Sequence, residues 1–353
     1  MIRVRRGPAT VFAGLLCGLI FVPGALDAAL AADSPQRPRQ HVTRQRAKSV
    51  IWRDPGRVER LDFRSGAGGR AGAPVPPFRF IEEDEDGSNA KVKVRDARGR
   101  RWSVKWDTGG EANAEIIAAR IAWAAGYFVE PSYFVRRGRI LGALDLDRAA
   151  KFVAPGGEFR NARFELKYDT VAERKDKESW AWNSNPFVGT RELNGLKIVS
   201  MLVSNWDNKD VRNAGRGSNT AVHFVRTGRG LEARYLVTDW GGSMGKWGGV
   251  FGREKWDCEG FAYQTEKFVE VEDDGELDWG FKGQHTGSFK KDVRFEDVRW
   301  VMQYLGRITD AQLRAGLAAS GASPAEVRCY QRALRDRIEQ LRRVASGRHV
   351  AAR

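Results

Sequence analysis

Between residues 78 and 106 apolar and polar side chains alternate with the period of two that marks half-buried strands. Phe78-Arg-Phe-Ile81 leads through an acidic run, Glu82 to Asp86, and a turn at Gly87-Ser88-Asn89-Ala90 into Lys91-Val-Lys-Val94. A second tight turn at Arg98-Gly99-Arg100 precedes Trp102-Ser-Val-Lys105-Trp106, so a three-stranded meander is predicted. At Glu111 the period changes. Ile117, Ile121, Ala124 and Ala125 then share one face of a helix that Gly126 stops and that should lie against the sheet. Ser132-Tyr-Phe-Val135 and Arg139-Ile-Leu141 read as a hairpin around Arg136-Arg-Gly138.

Farther along, Phe164-Glu-Leu-Lys-Tyr168 has the pattern of another strand, in the stretch joining the two halves. Leu193, Leu196, Val199 and Val203 give a helix over Arg191 to Val203, and Tyr235-Leu-Val ends an apolar strand. The C-terminal part is helical. Phe295, Val298, Val301, Met302 and Leu305 come first, Thr309-Asp-Ala-Gln312 and Ser323-Pro-Ala-Glu326 are capping boxes, and Val327, Tyr330, Leu334, Ile338 and Leu341 line one face of the last helix. The predicted fold class is α+β and two-lobed: a small antiparallel sheet with one helix over 78–145, and a mainly helical lobe with irregular insertions over 146–346.

Composition changes the picture at the ends. Arg3, Arg5 and Arg6 precede an apolar run from Val11 to Val22, followed by Ala29-Leu30-Ala31, the small-residue pattern of a cleavable export signal. Residues 1–31 therefore read as a signal peptide, and the mature protein is expected to be soluble, periplasmic or secreted. The bulky Leu16 before Cys17 argues against a lipoprotein. Cleavage would remove three arginines and Asp27, lowering the formal net charge of +15 by two. The surface stays basic and suits anionic partners such as nucleotide or lipid headgroups. Residues 32–77, rich in Arg, Pro, Gly and Ser, read as a basic flexible arm, and 347–353 as a basic tail. Cys258 and Cys329 remain after processing, enough for one disulfide in an oxidising compartment, though sequence does not say whether they meet.

Two acidic stretches carry the candidate chemistry: Leu202-Val-Ser-Asn-Trp-Asp207-Asn-Lys-Asp-Val-Arg-Asn213 and Tyr235-Leu-Val-Thr-Asp239-Trp-Gly-Gly242. Phosphoryl transfer needs one carboxylate to orient the attacking hydroxyl, and an amide and a second carboxylate to hold Mg²⁺. With a strand lysine and a helix glutamate ahead of them, these stretches resemble, over roughly Phe78 to Trp247, the atypical branch of the protein-kinase-like superfamily: HipA-type kinases, type II phosphatidylinositol kinases and the secretory-pathway kinases. The resemblance implies that Lys105 reaches the nucleotide phosphates, that Glu115 or Glu111 holds its ammonium, and that Gly87, Ser88 and Asn89 form a short phosphate loop. It implies Asp207 as the catalytic aspartate and Asn213 and Asp239 as metal ligands, with Val237 buried beneath Asp239.

Asn213 follows Asp207 by six positions where the family has five, so Asn208 and Asp210 remain alternatives. The implied activity is transfer of the ATP γ-phosphate, with Mg²⁺ or Mn²⁺, to a hydroxyl acceptor. The runner-up is a pseudokinase or anion-binding protein using the same cleft, and a basic, aromatic-rich polymer binder is a third class. Nucleic acid is not expected as the main partner. Trp180 and Trp182 read as core residues before ligand platforms. His285 has no partner at metal spacing and receives no role.

Overall fold

In the computed structural model the residues described are 47–85, 89–106, 109–167, 179–207, 219–248, 253–264, 266–272, 275–283 and 290–347. The meander forms as β2 (Phe78–Asp84), β3 (Lys91–Arg95) and β4 (Arg101–Lys105), after a short strand β1 (Lys48–Val50) and a single-turn helix α1 (Gly69–Gly72). Alternation decides its faces: Phe78, Val92, Val94, Trp102, Val104 and Trp106 point into one apolar core.

Helix α2 (Glu111–Ala124) follows, then β5 (Ser132–Leu141) and β6 (Glu158–Lys167). The five strands close into a barrel in the order β2-β3-β4-β6-β5, antiparallel except where Phe78 and Arg79 meet Ile140 and Leu141. The predicted hairpin around Arg136-Arg-Gly138 is instead one continuous strand. Gly138 lies flat under Phe159, where a Cβ would come within 2.5 Å of the ring. The small lobe therefore reaches Lys167, not residue 145, because β6 pairs with both β4 and β5.

The larger lobe begins with α3 (Arg191–Leu202), capped by Thr190. The hairpin β7 (Thr220–Thr227) and β8 (Gly230–Val237) comes next, with β1 added in parallel along β8. Two small ribbons, β9 (Lys246–Trp247) with β10 (Arg253–Glu254) and β11 (Val269–Val271) with β12 (Leu277–Trp279), frame α4 (Cys258–Tyr263). Then come α5 (Phe295–Leu305), α6 (Asp310–Ala319) and α7 (Pro324–Ala345). Both expected capping boxes are present at Thr309 and Ser323. Trp180 and Trp182 are buried in this lobe's core. Among the described residues no helix is long and apolar enough to cross a membrane.

The expectation of a flexible arm to residue 77 fails from Lys48 onward. Ile51, Val58 and Phe63 are sparse apolar residues in a polar stretch, which is why composition hid them, yet each is fully buried. They join the same large-lobe core as the apolar face of α2, Ala114, Ile117, Ala118, Ile121 and Ala122, and not the barrel core. Trp52 Nε1 donates to Ala125 O at 2.8 Å, Asn113 Nδ2 to Ser320 O at 2.9 Å and Arg120 Nη1 to Gly316 O at 2.9 Å. The helix touches β5 and β6 as expected, but it meets β4 and β6 through charged side chains.

Candidate active site

Lys105 ends β4 facing α2, because Trp102, Val104 and Trp106 take the opposite, core-facing positions. Its ammonium meets Glu111 Oε1 and lies 3.5 Å from Glu115 Oε2, one helical turn farther on. Both carboxylates offered by the sequence therefore engage it, Glu111 more closely. Burial opposes the charge on Lys105, but Glu115, and after it Glu111 and Asp239, outweigh burial and raise its pKa.

Glu111 is the meeting point of the site. Besides Lys105 it accepts from Asn89 Nδ2 at 2.8 Å on Oε1 and from the Lys255 ammonium on Oε2. Its side chain lies on the bare backbone of Gly241, where a Cβ would sit 2.5 Å from Glu111 Cγ. Burial favours the neutral acid, yet Lys105 first and Lys255 after it hold its pKa down at about 2. Asn89 thus reaches this centre. Gly87 and Ser88 lie outside the described residues.

Glu115 sits deeper. Arg163, directly across from Lys105 on β6, binds it and also binds Glu165, which in turn holds Lys167. Burial pushes the Glu115 carboxyl up to about 7, against the pull of Arg163 and Lys105. Sequence reasoning missed Arg163 and Glu165. In Phe159-Arg-Asn-Ala-Arg-Phe-Glu-Leu-Lys167 the polar positions imitate a solvent face, whereas here that face is covered by α2 and satisfied by paired charges.

Asp239 follows β8, with Val237 buried before it as expected. Its carboxylate accepts the Gly241 N–H at 2.8 Å, and one of its oxygens lies within 4.8 Å of an oxygen from each of Glu111 and Glu115. Asp207 is braced on two sides. Its N–H donates to Asn205 Oδ1 at 3.2 Å while Asn205 Nδ2 donates to Asp239 O at 3.2 Å, so one amide side chain spans both acidic loops. Asn219 Nδ2 donates to Asp207 O at 2.9 Å. Asp207 also packs on Gly242, where a Cβ would approach Asp207 Cβ to 2.7 Å. Asn213, with its alternatives Asn208 and Asp210, and His285 lie outside the described residues.

Arg337 of α7, which no pattern in the sequence singles out, is fully buried under this loop. It donates to Leu202 O at 2.8 Å, Ser204 Oγ at 2.7 Å and Phe261 O at 3.0 Å. These bonds satisfy the carbonyl end of α3 just where the chain turns, through Ser204 at φ +52°, into Asn205.

The donors of Asp239, Glu111 and Glu115 are all carboxylate oxygens, the chemistry that suits Mg²⁺ or Mn²⁺. Glu111 and Glu115 hold the Lys105 ammonium, and an oxygen of Asp239 lies within 4.8 Å of theirs. A five-stranded small lobe, a helix carrying the lysine's carboxylates and two acidic loops from a helical lobe make up the two-lobed α+β arrangement expected from the sequence.

No family model and no curated protein matches the chain. Solved structures do. The Helicobacter pylori proinflammatory kinase CtkA aligns at 11% identity and TM-score 0.43, over 78% of this chain and 99% of its own. The Golgi casein kinase with Mn/ADP bound aligns at 9% and 0.37, over 83% and 77%. The Rio2 kinase of Chaetomium thermophilum, an ADP/Mg²⁺-phosphoaspartate complex, aligns at 10% and 0.26, over 74% and 72%. At this depth each is a likeness in chain arrangement alone.

Proposed function

We propose that the protein is an exported phosphotransferase that binds ATP with Mg²⁺ or Mn²⁺ between its lobes and passes the γ-phosphate to a hydroxyl. One observation carries this reading: Lys105, Glu111, Glu115 and Asp239 converge, and Asn205 links Asp239 to Asp207. In the proposed chemistry Lys105 holds the phosphates. Asp239 with a neighbouring glutamate holds the metal. Asp207 orients the acceptor hydroxyl and takes its proton as the O–P bond forms and ADP departs. The bond between Cys258 and Cys329, with Cα atoms 6.2 Å apart, supports export, since such bonds persist in oxidising compartments.

The test is incubation of the purified full chain with γ-labelled ATP and Mg²⁺ or Mn²⁺, beside Asp207→Ala, Asp239→Ala and Lys105→Met. Label transferred to the protein itself or to a generic hydroxyl acceptor, and lost in all three variants, is the expected result. Nucleotide binding by a folded wild type without transfer would replace the enzyme with a nucleotide-binding pseudokinase.

A further inference from the structure

Glu111 carries two ammonium groups, one on each carboxylate oxygen: Lys105 on Oε1 and Lys255 on Oε2. The two lysines arrive from opposite lobes and differ in freedom. Lys105 has 9% of its side chain exposed and shares its charge between Glu111 and Glu115. Lys255 has 35% exposed, and the structure pairs it with Glu111. Arg163, a further cation at this centre, is already committed to Glu115 and Glu165 and is closed to solvent. Among the described residues, Lys255 is therefore the cation at this centre that can turn from its carboxylate toward a ligand while its backbone stays in place.

That backbone is held firmly. Trp256 fills the space beside Gly110, where a Cβ would sit 2.4 Å from the Trp256 Cβ. Its ring packs on Tyr330 with centroids 4.3 Å apart, and its Nε1 donates to Glu326 Oε1 at 2.7 Å. Two residues later Cys258 is bonded to Cys329 of α7. The Lys255 ammonium and the Lys105 ammonium are separated by one carboxylate group, a span that neighbouring phosphoryl groups of a polyphosphate can bridge. Asn89 Nδ2 points at the same carboxylate. Three donors thus converge on a bound anion, and the anion is the protein's own side chain.

We propose that Lys255 is a second phosphate-binding lysine of this cleft, and that Glu111 holds it in readiness until the polyphosphate of a nucleotide takes its place between Lys255 and Lys105. The nature of the ligand rests on the phosphotransferase reading; the paired-lysine site itself does not. Isothermal titration calorimetry of the full chain with ATP, ADP, AMP and inorganic tripolyphosphate, all without divalent metal, tests it in wild type, Lys255→Met, Lys255→Arg and Lys105→Met.

Loss of one phosphate-contacting ammonium should weaken tripolyphosphate and ATP binding about tenfold or more in Lys255→Met. Lys255→Arg should restore most of it, and the loss should grow from AMP to ADP to ATP. A lysine that only braced Glu111 would weaken all three nucleotides alike, and that result overturns the proposal. So does tripolyphosphate affinity unchanged in Lys255→Met, or no tripolyphosphate binding by wild type. Lys255-dependent tripolyphosphate binding without any label transfer from ATP would uphold the paired lysines and sink the phosphotransferase reading instead.

Discussion

Glu111 and Glu115 are one turn apart on the same helix, yet their surroundings push them in opposite directions. Glu111 stands at the first position of α2, where the helix dipole and two ammonium groups favour its charge, and its pKa falls from an ordinary 4.5 to about 2. Burial dominates at Glu115 and lifts it to about 7. The signs then follow. A depressed carboxyl contributes stability that is present above pH 4.5 and lost as pH falls toward 2. A raised one contributes stability that is present below pH 4.5 and lost as pH rises through 7. Urea unfolding of wild type, Glu111→Gln and Glu115→Gln from pH 3 to pH 8 should therefore show two opposite trends. The Glu111→Gln deficit should be largest near neutrality, on the order of 3 kcal/mol, and shrink below pH 4.5. Glu115→Gln should gain on wild type between pH 5 and 8. Two pH-independent gaps would mean that neither carboxyl is tuned by its site.

Elements whose signals are local were legible in the sequence, and elements defined by distant partners were not. The meander, α2 and the capped C-terminal helices follow from alternation, helical period and side-chain caps. Ser323 shows it well: its Oγ accepts from Glu326 N at 3.3 Å, and its own N–H donates to Glu326 Oε2 at 2.7 Å. Because Glu326 also accepts from Trp256, this cap joins α7 to the segment bearing Lys255. Ser323→Ala should lower stability by about 1 kcal/mol in urea unfolding, and Glu326→Ala by more, since it loses both bonds. Equal costs would mean that the Trp256 bond contributes nothing.

The candidate site divides in the same way. Lys105, Asp207 and Asp239 stand in recognisable runs, whereas Arg163, Asn219, Lys255 and Arg337 acquire meaning only from residues far away in sequence. The segment from Lys48 to Phe63 is hidden for the same reason. Its few apolar residues make no periodic pattern of their own and are buried in the core they share with α2.

Across the whole molecule, α2 is fastened to the large lobe by its apolar face, by Trp52 behind it and by Asn113 and Arg120 along it. The lysine–glutamate contact is thus carried by a helix anchored in the large-lobe core. A further support is the Lys255–Trp256 strut at the helix N-terminus, and the disulfide between Cys258 and Cys329, 71 residues apart in sequence, is the covalent tie behind that strut. Closing a loop of this length stabilises by about 4 kcal/mol through the unfolded chain. The joint variant Cys258→Ser with Cys329→Ser should therefore melt about 6 °C lower. Stability alone does not separate an unfolded-state effect from a native-state one, but amide hydrogen exchange does. If the tie holds the strut, exchange in the variant should quicken in residues 253–264 and in the first turn of α2, while Ala118 to Ala124 keep the protection of the large-lobe core. Uniform acceleration in step with the lost stability would assign the bond to the unfolded chain alone and leave Trp256 and Glu326 as what holds Lys255 at Glu111.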